Sequence, residues 1–279
     1  GMQPLYKRGQ KHYLIYYLLM QKNRSSMNNN EDALNFTPIQ GLLLNKVVLI
    51  TGATGGIGEA LSIKCAQLGA TVIISGKSIQ NLEALHTKIC AQGCIEPLIY
   101  PADLEGASKS DFEALASTIE ERFGHLDGLI LNAAILGDLT PLDGYSQAKW
   151  NQVIKINVTS QFLMTQCLIP VLKKASSASV IFSSSSVGRI GKAYWGAYSI
   201  SKFAIEALVQ IWASEHENVS SIRFNAVNPG ATQTRMRAKA YPAENPRMLP
   251  KPSQIISPYI YLLSAESLEI TGQSFNAQL

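Results

Sequence analysis

Two Tyr-x-x-x-Lys pairs occur in the chain, Tyr145 with Lys149 and Tyr198 with Lys202. On a helix, a four-residue separation puts phenol and ammonium on one face, next to each other. A free phenol titrates near 10 and is a poor base at neutral pH. An adjacent ammonium stabilises the phenolate; a shift of about three units takes roughly 4 kcal/mol of differential interaction. A tyrosine so placed can protonate a forming alkoxide or accept the proton of an alcohol. The motif is short, and a chain with 11 tyrosines meets it readily by chance, so context must decide. Tyr145 stands in a polar stretch before a long helix and reads as a surface pair. Tyr198 follows an apolar strand and the serine run Ser183 to Ser186, on a helix expected over 196–216. Ser185 lies thirteen residues before it, with a hydroxyl able to hydrogen-bond a carbonyl oxygen as charge develops there.

A second constellation lies upstream. Thr51-Gly52-Ala53-Thr54-Gly55-Gly56-Ile57-Gly58 follows the β-branched run Lys46 to Thr51 and opens a helix. Glycines there let the main chain approach a pyrophosphate closely. The helix start presents unpaired N–H groups and the positive end of its dipole. The plain alternative is a tight structural turn. The next strand ends Ser75-Gly76-Lys77, without the carboxylate that commonly accepts from an adenosine ribose. Lys77 can pair with a 2′-phosphate instead, so NADP(H) is preferred over NAD(H); otherwise it is a solvated lysine at a helix start. Gly55 supplies no second basic group.

These residues need a frame to hold them. Strands are expected at 46–51, 71–75, 96–100, 126–132, 179–184 and 221–227. Helices are expected at 57–68, 79–91, 108–123, 146–173 and 196–216. Short apolar strands alternating with helices of ten or more residues predict an α/β single-domain Rossmann fold, a doubly wound parallel sheet with helices on both faces. Residues 231–258 break the pattern with five prolines and the basic Arg235, Arg237 and Lys239. Proline at that density excludes a long helix and reads as a substrate lid. Its basic residues could receive an anionic substrate or cofactor phosphates, or be solvated.

The Gly-x-x-x-Gly-x-Gly turn with Thr51, together with Ser185, Tyr198 and Lys202 in order, resembles the short-chain dehydrogenase/reductase family over about residues 45–279. The resemblance implies an oxidoreductase interconverting a carbonyl and an alcohol by hydride transfer. Thr51, Gly52, Gly56, Ile57 and Gly58 would then line the cofactor, with Tyr198 and Lys202 also touching it, and an oxidised nicotinamide would help the ammonium to stabilise the phenolate. Asp103 matches the aspartate that reads the adenine edge, the alternative being a helix cap. Asn132-Ala133-Ala134 stands where relatives have Asn-Ala-Gly, leaving less room beside the ribose. Asn157 matches an asparagine holding a proton-relay water near the lysine. Asn228-Pro229-Gly230 with Thr232 and Thr234 matches the segment flanking the nicotinamide, Thr234 facing its carboxamide. Leu136-Gly137-Asp138, the run from Ser184 to Arg189, Trp195 to Tyr198 and the ending Phe275-Asn276-Ala277-Gln278 resemble the YciK-like bacterial oxidoreductases. Relatives form homodimers or homotetramers through their long helices, and the same is expected here. The competing reading is a non-catalytic dinucleotide-binding sensor or scaffold.

Composition limits what else is possible. The chain has 279 residues, 46% hydrophobic and 16% charged, which suits an ordered globular domain. The net charge of +4 belongs to Lys7, Arg8, Lys11, Lys22 and Arg24, so no basic face for nucleic acid is expected on the body. Residues 1–44 read as an N-terminal extension, with Gly1 a cloning remnant and Met27 a candidate natural start. Tyr13 to Met20 imitates a signal sequence but is too short to cross a bilayer, and no apolar run reaches the ~18 residues of a span. Cys65, Cys90, Cys94 and Cys167 lack paired metal-ligand spacing and read as free thiols in a cytoplasmic protein, with no metal site.

Overall fold

Successive residues of the buried strands face opposite sides of one sheet. In β1 (Val47–Ile50), Val48 and Ile50 enter one apolar cluster while Val47 and Leu49 enter another, following the two-residue period of a strand. The computed structural model describes residues 29–279. Its other strands are β2 (Thr71–Gly76), β3 (Leu98–Pro101), β4 (Gly128–Leu131), β5 (Ser179–Ser183), β6 (Arg223–Asn228) and β7 (Ser274–Asn276). All pair in parallel, in the order β3-β2-β1-β4-β5-β6-β7.

Helices cover both faces. On one side lie α1 (29–35), α2 (Gly56–Gln67), α3 (Ile79–Cys90) and α9 (Ser257–Leu263), contributing Ala33, Leu61, Leu82 and Tyr259 to the first cluster. On the other lie α4 (Lys109–Phe123), α6 (Ser160–Leu172) and α7 (Gly196–His216), contributing Phe112, Leu168 and Val209. The expected doubly wound α/β sheet is the observed one.

Four departures are physical. The helix expected over 146–173 is α5 (Gln147–Ile154), a π-helical turn (Lys155–Thr159) and α6. The wide turn lets buried Asn157 pair with Ile135 in the loop after β4: its Oδ1 accepts from the Ile135 N–H and its Nδ2 donates to the Ile135 carbonyl, each at 2.9 Å. Strand β7 is three residues on a sheet edge, too short to leave a periodic signal. Helix α9 begins where the proline-rich segment ends, Pro258 sitting in its first turn, where a missing N–H is harmless. Residues 29–44, counted above with the extension, pack on the domain: Ala33 and Leu43 are buried, and Ser257 donates to the carbonyls of Ala33 and Phe36. The basic segment, the apolar stretch at 13–20 and Met27 lie outside the described residues. Among the described residues no helix is long and apolar enough to cross a membrane, no acidic, histidine and cysteine cluster could hold a metal, and all four thiols are free.

Candidate active site

Strand order reverses between β1 and β4, and at such a switch point the carboxyl ends of the strands diverge to leave a crevice. Thr51 holds its floor, its Oγ1 accepting from the N–H groups of Asn132 and Ala133 at 3.0 and 3.1 Å. The glycine turn forms one wall. A Cβ on Gly58 would lie 1.9 Å from the Gly52 carbonyl oxygen, so this glycine lets α2 close on the turn and does not itself line the crevice. Gly52 and Gly56 have φ of 62° and 47°, a region that favours glycine. The cavity so formed has a volume of about 630 Å³ and runs from Lys77 and Asp103, past Gly52, Gly56 and Ile57, to Tyr198 and Lys202. Its size suits a large, elongated ligand.

At the outer end the Lys77 ammonium stands 3.0 Å from Asp103 Oδ2, both side chains solvent-accessible. That hydrogen bond holds the Asp103 carboxyl below the usual carboxylate range. Asp103 also accepts from the Glu105 N–H at 3.2 Å, the local turn its cap alternative describes. Asn132 Oδ1 accepts from Ser183 Oγ at 2.9 Å, and that hydroxyl also meets Tyr259 Oη at 2.7 Å.

At the inner end Tyr198 is 7% exposed and Lys202 2%. The Lys202 Nζ lies 5.5 Å from the Tyr198 ring centroid and donates to the Ser183 carbonyl at 2.8 Å. Gly188 permits this approach, since a Cβ there would fall 2.7 Å from Lys202 Cβ. Without a nicotinamide beside it, the phenol is not acidified by the chain's own residues. Burial pushes Tyr198 up to about 12, with Ser185 beside it pulling the other way. Burial pulls Lys202 down to about 8 against the raising influence of Glu206. Desolvation of both charged forms exceeds the pairwise gain. At neutral pH the phenol keeps its proton and the amine remains mostly charged.

Asn157 makes no hydrogen bond to Lys202. Its Nδ2 also donates to Ser201 Oγ at 3.1 Å, and Ser201 donates to the Tyr198 carbonyl at 2.7 Å. The loop after β4 is thereby tied to the helix that carries the phenol. A smaller cavity of about 200 Å³ adjoins the large one, with Ile57, Ser184, Tyr198, Pro229 and Thr234 on both. Ser185, Gly230 and Thr232 line only the smaller one. Thr234 caps α8 (Arg235–Ala240) by accepting from the Arg237 N–H at 3.1 Å, and a Cβ on Gly56 would strike its methyl. The segment 231–258 folds as α8 and two 3-10 turns. Met236, Arg237, Ala240 and Tyr241 from it wall the smaller cavity. Tyr145 is half-buried rather than a surface residue: its Oη accepts from the Asp138 N–H and its ring meets Trp150 edge-on. Lys149 turns to Gln152, so this Tyr–Lys pair is structural.

A protein-family comparison matches residues 46–245 to short chain dehydrogenase. The chain belongs to the short chain dehydrogenase family. It is 38% identical over 245 residues to the uncharacterized oxidoreductase YciK of Escherichia coli K12, covering 88% of this chain and 96% of that one. A short chain dehydrogenase structure from Pseudomonas syringae is 44% identical, covering 88% and 99% of the two chains, with a TM-score of 0.86. A short chain dehydrogenase from Escherichia coli CFT073, complexed with NADPH, is 39% identical over 87% of this chain and all of that one, with a TM-score of 0.84. The resemblance to YciK-like oxidoreductases and the doubly wound fold both hold.

Within this short chain dehydrogenase, sequence reasoning missed the residues that brace the site. Gln278 Nε2 donates to the carbonyls of Pro229 and Ala231 at 2.8 Å, fixing the loop beside Thr232. Arg189 donates to Glu206, Ser274 and Asn276, and Ser184 donates to Glu206. This network joins the serine run, α7 and β7. Arg189, Asn276 and Gln278 all stand in segments quoted above for the YciK-like resemblance, so the signal was present without a partner to explain it.

Proposed function

We propose that the chain is an NADP(H)-dependent oxidoreductase interconverting a carbonyl and an alcohol. The carrying observation is one buried residue, Tyr198, on the boundary between the glycine-lined cavity and the smaller one. The residues fit a dinucleotide. Gly52 and Gly56 leave room for backbone approach, and the start of α2 faces the cavity with Gly56 and Ile57. Asp103, Asn132, Pro229 and Thr234 line the rest, and Ala134 adopts no left-handed backbone that would strain its side chain. Thr51 and Gly58 act by shaping the floor and the turn. Lys77, with no carboxylate at the end of β2, and the NADPH complex of the Escherichia coli relative support the phosphorylated cofactor. The bound dinucleotide would supply or accept the hydride.

Tyr198, protonated at neutral pH, donates its proton to the carbonyl oxygen as hydride arrives, and takes it back from the alcohol in the reverse direction. Ser185 hydrogen-bonds the same oxygen and stabilises its developing charge. Lys202 places a positive charge beneath the phenol, stabilising phenolate once the proton has left. Asn157 is a positioning residue, acting through Ser201. The segment 231–258 is the lid, with α8 against the substrate. NADPH oxidation followed at 340 nm over aldehydes, ketones and quinones tests the reading. Tyr198→Phe is expected to lower turnover by about 10²-fold to 10⁴-fold with cofactor affinity retained. Full activity in that variant contradicts the assignment, and tight NADPH binding without turnover of any carbonyl favours the sensor reading.

The assembly reading extends to the surface. Ile200, Phe203 and Ile211 are exposed along one stripe of α7, an apolar face suited to a homodimer or homotetramer. Light scattering at micromolar concentration is expected to give a multiple of the protomer mass; a monomer overturns this.

A further inference from the structure

The smaller cavity has a directional chemistry. From Tyr198 a row of aromatic rings leads outward, Tyr198 to Trp195 at 5.9 Å between centroids and Trp195 to Tyr241 at 5.9 Å. Leu136, Val187 and Met236 pack at the inner end. Tyr194, at φ 72°, is a bulky residue in left-handed backbone immediately before Trp195, a conformation held only where surrounding structure requires it. At the outer end the Lys192 ammonium lies 5.7 Å from the Trp195 ring and 5.4 Å from the Tyr241 ring, and donates to Tyr241 Oη at 3.0 Å.

The charges around this end are unequal. Arg237, stacked 3.8 Å from the Tyr241 centroid, is held in a two-point pair by Glu244 at 2.6 and 2.8 Å. Arg235 borders the larger cavity and Lys239 is exposed outside both. Lys192 borders the smaller cavity and has no carboxylate partner among the described residues. An ammonium has three donors, and one is used by Tyr241.

We infer that the substrate is a flat aromatic aldehyde or ketone carrying a carboxylate at the end remote from its carbonyl. The carbonyl lies at Tyr198 and Ser185, the aromatic body along Trp195 and Tyr241, and the carboxylate on Lys192. The inference rests on the carbonyl-reduction reading for its chemistry, in which the carbonyl carbon gains hydride from NADPH and its oxygen gains the Tyr198 proton. Its recognition element, Lys192, is independent of that chemistry.

The test uses full-length protein saturated with NADP⁺, which closes the larger cavity to competing anions. Calorimetric titration compares 2-naphthoate with its neutral isostere 2-naphthamide, neither of which is reduced. The carboxylate is expected to bind at least about tenfold more tightly. That preference is expected to vanish in Lys192→Met and persist in Lys192→Arg and Tyr198→Phe. Equal affinities in the parent protein overturn the inference, as does a preference that survives Lys192→Met. In parallel, 4-formylbenzoate and 4-formylbenzamide are compared as substrates with NADPH, the acid expected to show the lower KM. Turnover of both with no difference in KM sinks the substrate class and leaves the oxidoreductase standing. A carboxylate preference in binding without turnover of any carbonyl leaves the Lys192 carboxylate site standing and overturns the oxidoreductase reading.

Discussion

Two lysines stand at opposite ends of one cleft in opposite surroundings. Lys77 is 71% exposed and paired with a solvated carboxylate. Lys202 is buried against a phenol ring and a backbone carbonyl, and its amine is drawn down to about 8. Water screens the first pair, so it can exchange partners at little cost and suits recognition of a phosphate. Exclusion of water strengthens every electrostatic effect around the second and lets one charge bear on a proton transfer. On the proposed reading, one residue type serves discrimination in one place and chemistry in the other.

The sharpest way to break this comparison is to remove the buried charge. Lys202→Met is expected to lower kcat/KM for carbonyl reduction by about 10²-fold or more, measured at saturating NADPH. A loss below threefold would make the two lysines equivalent. The next effect concerns stability without cofactor. The folded amine binds its proton less tightly than the unfolded one, near 8 against 10.5. Unfolding therefore takes up a proton between those values, and wild-type stability rises with pH across that window. Relative to Lys202→Met, the wild type should gain up to about 3 kcal/mol between pH 8 and pH 10.5 in denaturant titrations. A flat difference would mean that the amine is hydrated in solution. The smallest effect is at the exposed end. Lys77→Ala should weaken NADPH binding by about tenfold and leave NADH nearly unchanged, the gap narrowing as salt is raised. Equal losses for both cofactors would move 2′-phosphate recognition to another residue.

Much of the frame was legible because its signals are local. Alternating short apolar runs and helix-length segments gave six of the seven strands, and α7 begins and ends where it was expected. The glycine turn, the serine run and the Tyr198–Lys202 spacing each state their geometry within a few residues. The π turn at Asn157, the three-residue β7 and the opening of α9 were not legible. Each is decided by a partner far along the chain, such as Ile135 for Asn157. Gln278 and Arg189 show the same limit, since their partners lie 45 residues or more away for all but Glu206.

By itself, the sequence determined the alternation of strands and helices, the glycine turn after β1 and the placing of Tyr198 and Lys202 on one helix, because periodicity, glycine and helical spacing act over short range. Only the tertiary structure decided the electrostatics. Burial, which no spacing encodes, raised the phenol instead of acidifying it. It also paired Arg237 with Glu244 and left Lys192 as the cation without a carboxylate partner at the smaller cavity among the described residues. Desolvation and charge pairing depend on everything packed around a group, and so they exist only once the chain has folded.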